Sequence, residues 1–148
     1  MKKKYYLETS ILFPAFSPEV PNHQKCFDLF RSLREQGEIV CMSMHLYAEL
    51  YSNLTRFPKV GKIPPKVAAT LIKSLRREEL VSIVDLTVDD YENALDRCAE
   101  KGLVSGVIFD ALHLQAAIKA EVDYLYTNNL RDFERLWGNN LSIELKSI

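Results

Sequence analysis

The sequence is poor in the features that classify a protein fastest. Its 148 residues hold three cysteines, Cys26, Cys41 and Cys98. The number is odd, the spacing is wide and no pair forms CxxC, which argues against a disulfide framework or a zinc knuckle. They read as small core residues in a reducing cytoplasm. No run reaches the roughly 18 apolar residues that a membrane span requires. The opening MKKKYYLETSILFPAF imitates a secretion signal only briefly: Glu8 interrupts the apolar run, Pro14 ends it, and no small-residue cleavage site follows. The net charge is −1, so the overall balance demands neither nucleic acid nor membrane, although an average hides local patches. HExxH, nucleophile-elbow and dinucleotide signatures are absent, and GKIPPK (61–66) lacks the Gly-Lys-Ser/Thr ending of a phosphate loop. No internal repeat, low-complexity tract or linker divides the chain. The expectation is one unprocessed cytoplasmic domain over residues 1–148.

With 47% hydrophobic and 26% charged residues, the composition is that of an ordinary folded domain. Short apolar runs at 5–7, 39–42, 81–84, 122–126 and 141–145 predict strands, and helical periodicity fills the intervals. Pro14, Pro18 and Pro21 predict a break in regular structure after the first strand. Asn22 is placed to cap a helix carrying Cys26, Phe27, Phe30 and Leu33 on one face, with Gly37 as its stop. Ser43 is an N-cap for a helix over roughly 44–57, with Leu46, Tyr47, Leu50, Tyr51 and Leu54 in one stripe. Pro64 and Pro65 open a helix with Val67, Leu71 and Leu75 inward. Thr87 with Asp90 resembles a capping box, and Tyr91, Ala94, Leu95, Cys98 and Ala99 form the stripe that follows, stopped by Gly102. A turn and short helix occupy 128–137. Strands alternating with helices predict an α/β fold, an α/β/α sandwich with a mainly parallel central sheet, whose sites form at the carboxyl ends of strands.

The stretch SGVIFDALHLQAAIKA (105–120) is apolar almost all round, so it reads as a buried helix. Asp110 lies in its first two turns. A carboxylate removed from water must be paired, protonated or bound to a cation. We read it as part of an acidic cluster for a divalent metal, with Glu8, Glu49 and the Asn129/Asp132 turn supplying the rest.

Four segments, YLETSIL (6–12), SMHLYAEL (43–50), FDALHLQAA (109–117) and YTNNLRDF (126–133), resemble in order and spacing those of the PIN-domain family, most closely its toxin ribonucleases of the VapC type. The resemblance spans about residues 5–133. It implies RNA cleavage with Mg²⁺ or Mn²⁺ held by acidic side chains, a small antitoxin that blocks the site, and often a homodimer. Carried over, Glu8, Glu49 and Asp110 fall on the first three acids, and Asp132 or Asn129 on the fourth. Thr9, Ser10 and Thr127 match small hydroxyl positions that orient ligands or water. The departure is Glu8, where the family usually has Asp: one more methylene displaces a carboxylate, while Mg²⁺ wants near-octahedral oxygens at about 2.0–2.1 Å. Without metal, such a cluster repels itself and should raise the pKa of at least one member.

Each residue also has a plainer reading. His113 is either a partner of Asp110 or a satisfied core histidine. Glu49 passes for a solvated helix residue, Asp132 for a cap or salt bridge, and Asn129 for a turn residue. Residues 56–77 carry seven basic side chains and no acidic one: Arg56, Lys59, Lys62, Lys66, Lys73, Arg76 and Arg77. They are either an RNA-backbone contact or a solvated face that offsets the acidic run 85–100. Two further functions stay open: a degenerate domain that binds RNA or protein without cutting, favoured by Glu8 and Asn129, and a DNA nuclease.

Overall fold

The computed structural model describes residues 1–56, 63–139 and 141–148. Five strands, β1 (Lys4–Leu7), β2 (Ile39–Ser43), β3 (Val81–Val84), β4 (Tyr124–Tyr126) and β5 (Glu144–Lys146), form one sheet in the order β3-β2-β1-β4-β5, with every pair parallel. The helices are α1 (Thr9–Ala15), α2 (His23–Glu35), α3 (His45–Arg56), α4 (Pro65–Leu75), α5 (Val88–Glu100), α6 (Val107–Lys119) and α7 (Leu130–Leu136). The predicted sandwich is present. Leu7, Val40 and Met42 face a core built with α1 to α4. Tyr6, Cys41 and Leu125 face the opposite core, built with α5 to α7. Alternate strand residues thus serve two layers, and all three cysteines are buried free thiols. The chain builds outward from β1 to β3, then returns to the other side of β1 for β4. That reversal opens a crevice at the carboxyl ends of β1 and β4, where ligands bind in such sheets.

Several elements depart from the sequence reading. Pro14 lies inside α1 rather than ending regular structure before it. A proline cannot donate to the carbonyl four residues back. Here that carbonyl, on Ser10, accepts instead from the Asn128 amide at 3.0 Å. Asn22 precedes α2 in the left-handed region, φ 68°, and makes no side-chain cap. Phe27 leaves the buried face of Cys26, Phe30 and Leu33 and lies under the Arg31 guanidinium, 5.6 Å from the ring centre. On α4 the inward stripe is Ala68, Ile72 and Leu75, with Val67 out. On α3, Leu46, Leu50 and Leu54 are buried and Tyr51 is exposed. The last two strands are shorter than their apolar runs.

On α5, only Ala94 and Cys98 of the predicted stripe are buried; Tyr91, Leu95 and Ala99 face solvent. The cause is Asp90, which closes the capping box with Thr87 and also binds α6. Its carboxylate accepts from Thr87 N at 2.8 Å, Lys119 Nζ at 2.7 Å and Gln115 Nε2 at 3.2 Å. These contacts, the Lys119 bond foremost, hold its carboxyl well below the usual carboxylate range. Asp90→Ala removes the cap and strands Gln115 in the interior. We expect a loss of about 2–3 kcal/mol in chemical denaturation, and a smaller loss for Asp90→Asn, which retains acceptors for Thr87 and Lys119. Equal stability of Asp90→Ala and the native chain would refute this account of how α5 is oriented. No helix of the described residues is long and apolar enough to cross a membrane.

Candidate active site

β1 ends by delivering Glu8 to the first turn of α1, where it is the N-cap. Its Oε2 accepts from Ser10 N at 3.0 Å, from Thr127 Oγ1 at 3.0 Å and from the Ser10 hydroxyl. Ser10 Oγ in turn accepts from Asn128 N at 2.7 Å, and Thr127 Oγ1 from Asn129 N at 2.9 Å. The loop after β4 is therefore laced to the start of α1 through Glu8.

Ser43, the last residue of β2, accepts from His45 N at 2.8 Å at the start of α3, and that helix carries Glu49 to the same crevice. Glu49 Oε1 accepts from Thr9 Oγ1 at 2.9 Å and from His113 Nε2. The His113 ring is 1% exposed, and its Nδ1 meets the Tyr6 hydroxyl at 2.6 Å. His113 is thus partnered in the core, with Glu49 rather than Asp110. Burial opposes both ionisations, but the mutual bond outweighs it: the Glu49 pKa is lowered and that of His113 raised. His45 Nε2, 3.7 Å from Glu49, is buried without a hydrogen-bond partner, and burial lowers its pKa.

Asp110 is different. No donor of the described residues is recorded on its carboxylate. Burial first, then the charges of Glu8 and Asp132, push its pKa up to about 7. The part that comes from Glu8 and Asp132 is the self-repulsion expected of an acidic cluster.

Glu8, Thr9, Ser10, Glu49, Asp110 and Asn129 border one cavity of about 480 Å³. Thr127 lies fully buried behind Glu8. Asp132 does not line the cavity; it pairs with Arg135 at 2.7 Å on α7 and reaches Asp110 only through its field.

The model of the PIN domain matches residues 5–138 of the chain. The chain belongs to the PIN-domain family. None of the curated protein sequences compared with it matches. Among solved structures, this PIN domain is similar to Mycobacterium tuberculosis VapC20, a sarcin-ricin loop cleaving toxin, at 16% identity and TM-score 0.69, over 94% of this chain and 98% of that one. It is similar to VapBC2 from Rickettsia felis, bound to a promoter DNA fragment, at 21% identity and TM-score 0.67, over 98% of each chain. VapBC-1 from nontypeable Haemophilus influenzae follows at 17% identity and TM-score 0.63, over 97% of each. At these identities the likeness concerns the fold.

The donor chemistry of the PIN-domain crevice suits a hard divalent cation: the acidic groups lining the cavity are the carboxylates of Glu8, Glu49 and Asp110, which Mg²⁺ and Mn²⁺ prefer to sulfur or imidazole. The uncompensated charge at Asp110 fits as well. The positions fit less closely, because among the described residues no three His, Cys, Asp or Glu side chains converge on one point. One oxygen of each of Glu8 and Glu49 is held by protein donors.

Sequence reasoning missed several residues of the site. Asn128, not only Asn129, anchors the loop after β4. Asn53 and Phe109 line the cavity, and so does Arg56, the first residue of the predicted basic stretch. Asn53 follows Glu49 by one turn of α3. Of the basic stretch, Lys66, Lys73, Arg76 and Arg77 are exposed on or just after α4, away from the cavity lining. They lie on the opposite side of the sheet from α5, so they do not offset its acidic run. Lys59 and Lys62 fall outside the described residues.

Proposed function

We propose that this chain, as a single PIN domain over residues 1–148, is a divalent-metal-dependent endoribonuclease of the cytoplasm and the toxin of a toxin–antitoxin pair. The observation that carries the reading is Asp110: a half-buried carboxyl pushed up to about 7, by burial first and then by the charges of Glu8 and Asp132, is a site that gains by taking a cation. Glu8, Glu49 and Asp110 would hold Mg²⁺ or Mn²⁺, with Asp132 adding charge from α7. When bound, such an ion stabilises charge on the attacked phosphate and lowers the pKa of water. The chain's own part is positional. Thr9 holds Glu49, Ser10 and Thr127 hold Glu8, and Asn129 offers a polar group at the cavity mouth. The similar structures, a sarcin-ricin loop cleaving toxin and a VapBC assembly, support an RNA substrate and a small antitoxin partner; the family resemblance adds a homodimer. Cleavage of a mixed RNA pool with Mn²⁺, absent with EDTA and with DNA of the same sequence, is the deciding assay. Cutting of DNA as fast as RNA would replace the reading with a general nuclease.

The competing reading is a binding module that does not cut. It draws on the engagement of Glu8 and Glu49 by protein donors. Glu8→Asp separates the two. Asp is among the best N-caps, so Ser10 N stays satisfied, while the shorter arm loosens the Thr127 bond and frees a lone pair. We expect Mn²⁺ affinity and turnover to rise, by about tenfold. Silence in both native chain and variant would favour the binding module.

A further inference from the structure

One wall of the cavity carries an aromatic surface that cation chemistry does not use. Phe109 stands directly before Asp110 on α6 and is 49% exposed. One face of its ring lies flat on His45, with centroids 5.4 Å apart and planes 5° from parallel. His45 meets His113 edge-on at 5.8 Å, and His113 meets Tyr6 the same way at 5.8 Å. The rings run without a gap from the cavity wall to the centre of the sheet, where Tyr6 and His113 are buried and bonded to each other. The outer ring therefore rests on a fixed support and keeps its other surface toward solvent.

A second feature of the same cavity is Arg56, the one cation among the described residues that line it. No carboxylate of the described residues pairs with it. Carboxylates repel a polyanion, so a cation left free on this wall suits a phosphate rather than a structural ion pair.

We infer that Phe109 is a stacking platform for an unpaired base of the RNA beside the scissile phosphate, with Arg56 holding a neighbouring phosphate. The position of the scissile phosphate rests on the nuclease reading above; the stacking does not. A base within a duplex has both faces covered by its neighbours. Only a base splayed out of the stack meets a ring on a cavity wall. Aromatic stacking tolerates every base, so the platform selects strandedness and not sequence.

The test is equilibrium binding without metal. The probes are short RNA oligomers with 2-aminopurine at each position in turn, single-stranded or annealed to a complement. Phe109→Leu should weaken single-strand binding about tenfold and abolish the fluorescence quenching. Phe109→Trp should retain both. Duplex binding should be weaker in every protein and indifferent to Phe109→Leu. Arg56→Gln should weaken all oligomers alike and lower the salt dependence by about one phosphate, with quenching retained. Native affinity in Phe109→Leu, or equal binding of duplex and single strand, overturns the platform, as does the absence of any RNA binding. Binding with quenching but no Mn²⁺-dependent cutting leaves the platform standing and removes the nuclease. Cutting that Phe109→Leu leaves unchanged does the reverse.

Discussion

Asp110→Asn is expected to lower metal-dependent RNA cleavage by about 10²–10³-fold or more while making the metal-free protein more stable. The two effects have one origin. In the unfolded chain this carboxyl titrates near 3.8, and in the fold near 7. Between those values the native state binds more protons than the unfolded state, so stability falls as pH rises from about 4 to 7. The asparagine amide has nearly the same shape and no charge, so it removes the repulsion from Glu8 and Asp132. At pH 7.5 the variant should gain on the order of 1–2 kcal/mol, discounted because the carboxyl is at the cavity wall and partly solvated. Its stability should also lose this slope between pH 4 and 7. Mn²⁺ at about a hundred times its Kd should raise the native chain by about 2.7 kcal/mol and leave the variant unmoved. Thermal melts across pH, with and without Mn²⁺, beside the cleavage assay, measure all three. A variant that turns over RNA normally would remove Asp110 from the chemistry. One that is inactive but melts like the native chain would show that the acids do not repel in the absence of a cation.

The parts of the fold that could be read from sequence are those whose physics is local. Thr87 and Asp90 are three residues apart and form the capping box their identities suggest. Ser43 bonds His45 N at the start of α3, and Gly37 follows α2 with φ 73°. The parts misread depend on distant partners. Pro14 is tolerated in α1 because Asn128, 118 residues from Ser10, satisfies the carbonyl it leaves free. Both faces of α4 and of α5 offer apolar residues at helical spacing, so periodicity alone does not choose between them. On α5 the choice is made by Asp90 binding Lys119 and Gln115 of α6. The site divides in the same way. Glu8, Thr9, Glu49 and Asp110 stand in short motifs and meet at one cavity. The fourth position does not resolve into one residue, since Asn129 borders the cavity and Asp132 acts from α7. The ring run from Phe109 to Tyr6 joins residues from three elements, and no motif announces it.

Substitution of His113 should have the largest effect on stability, because this ring joins the core to the site. It holds Tyr6 on β1 and Glu49 on α3 at once. His113→Ala leaves a cavity in a fully buried place and strips Glu49 of its main donor, at about 3–5 kcal/mol. His113→Gln keeps an amide donor for Glu49 and gives up the ring, so it should lose less and retain measurable turnover where His113→Ala has none. The pH dependence tells a charged partner from a merely well-packed one. The raised His113 pKa means its contribution is whole below the unfolded value, 6.5, and fades as pH rises through the native value. The lowered Glu49 pKa means its contribution is whole above 4.5 and fades as pH falls through its native value. The pair is therefore strongest between these two limits and weakens on both sides of them. Melts of Asp110→Asn with and without His113→Gln, from pH 5 to pH 9, isolate this limb from that of Asp110. We expect stability above pH 6.5 to fall with histidine present and to stay level with glutamine. A level profile in both would mean that His113 holds Glu49 as a neutral donor, and that the negative charge offered to a cation at this site is larger by one.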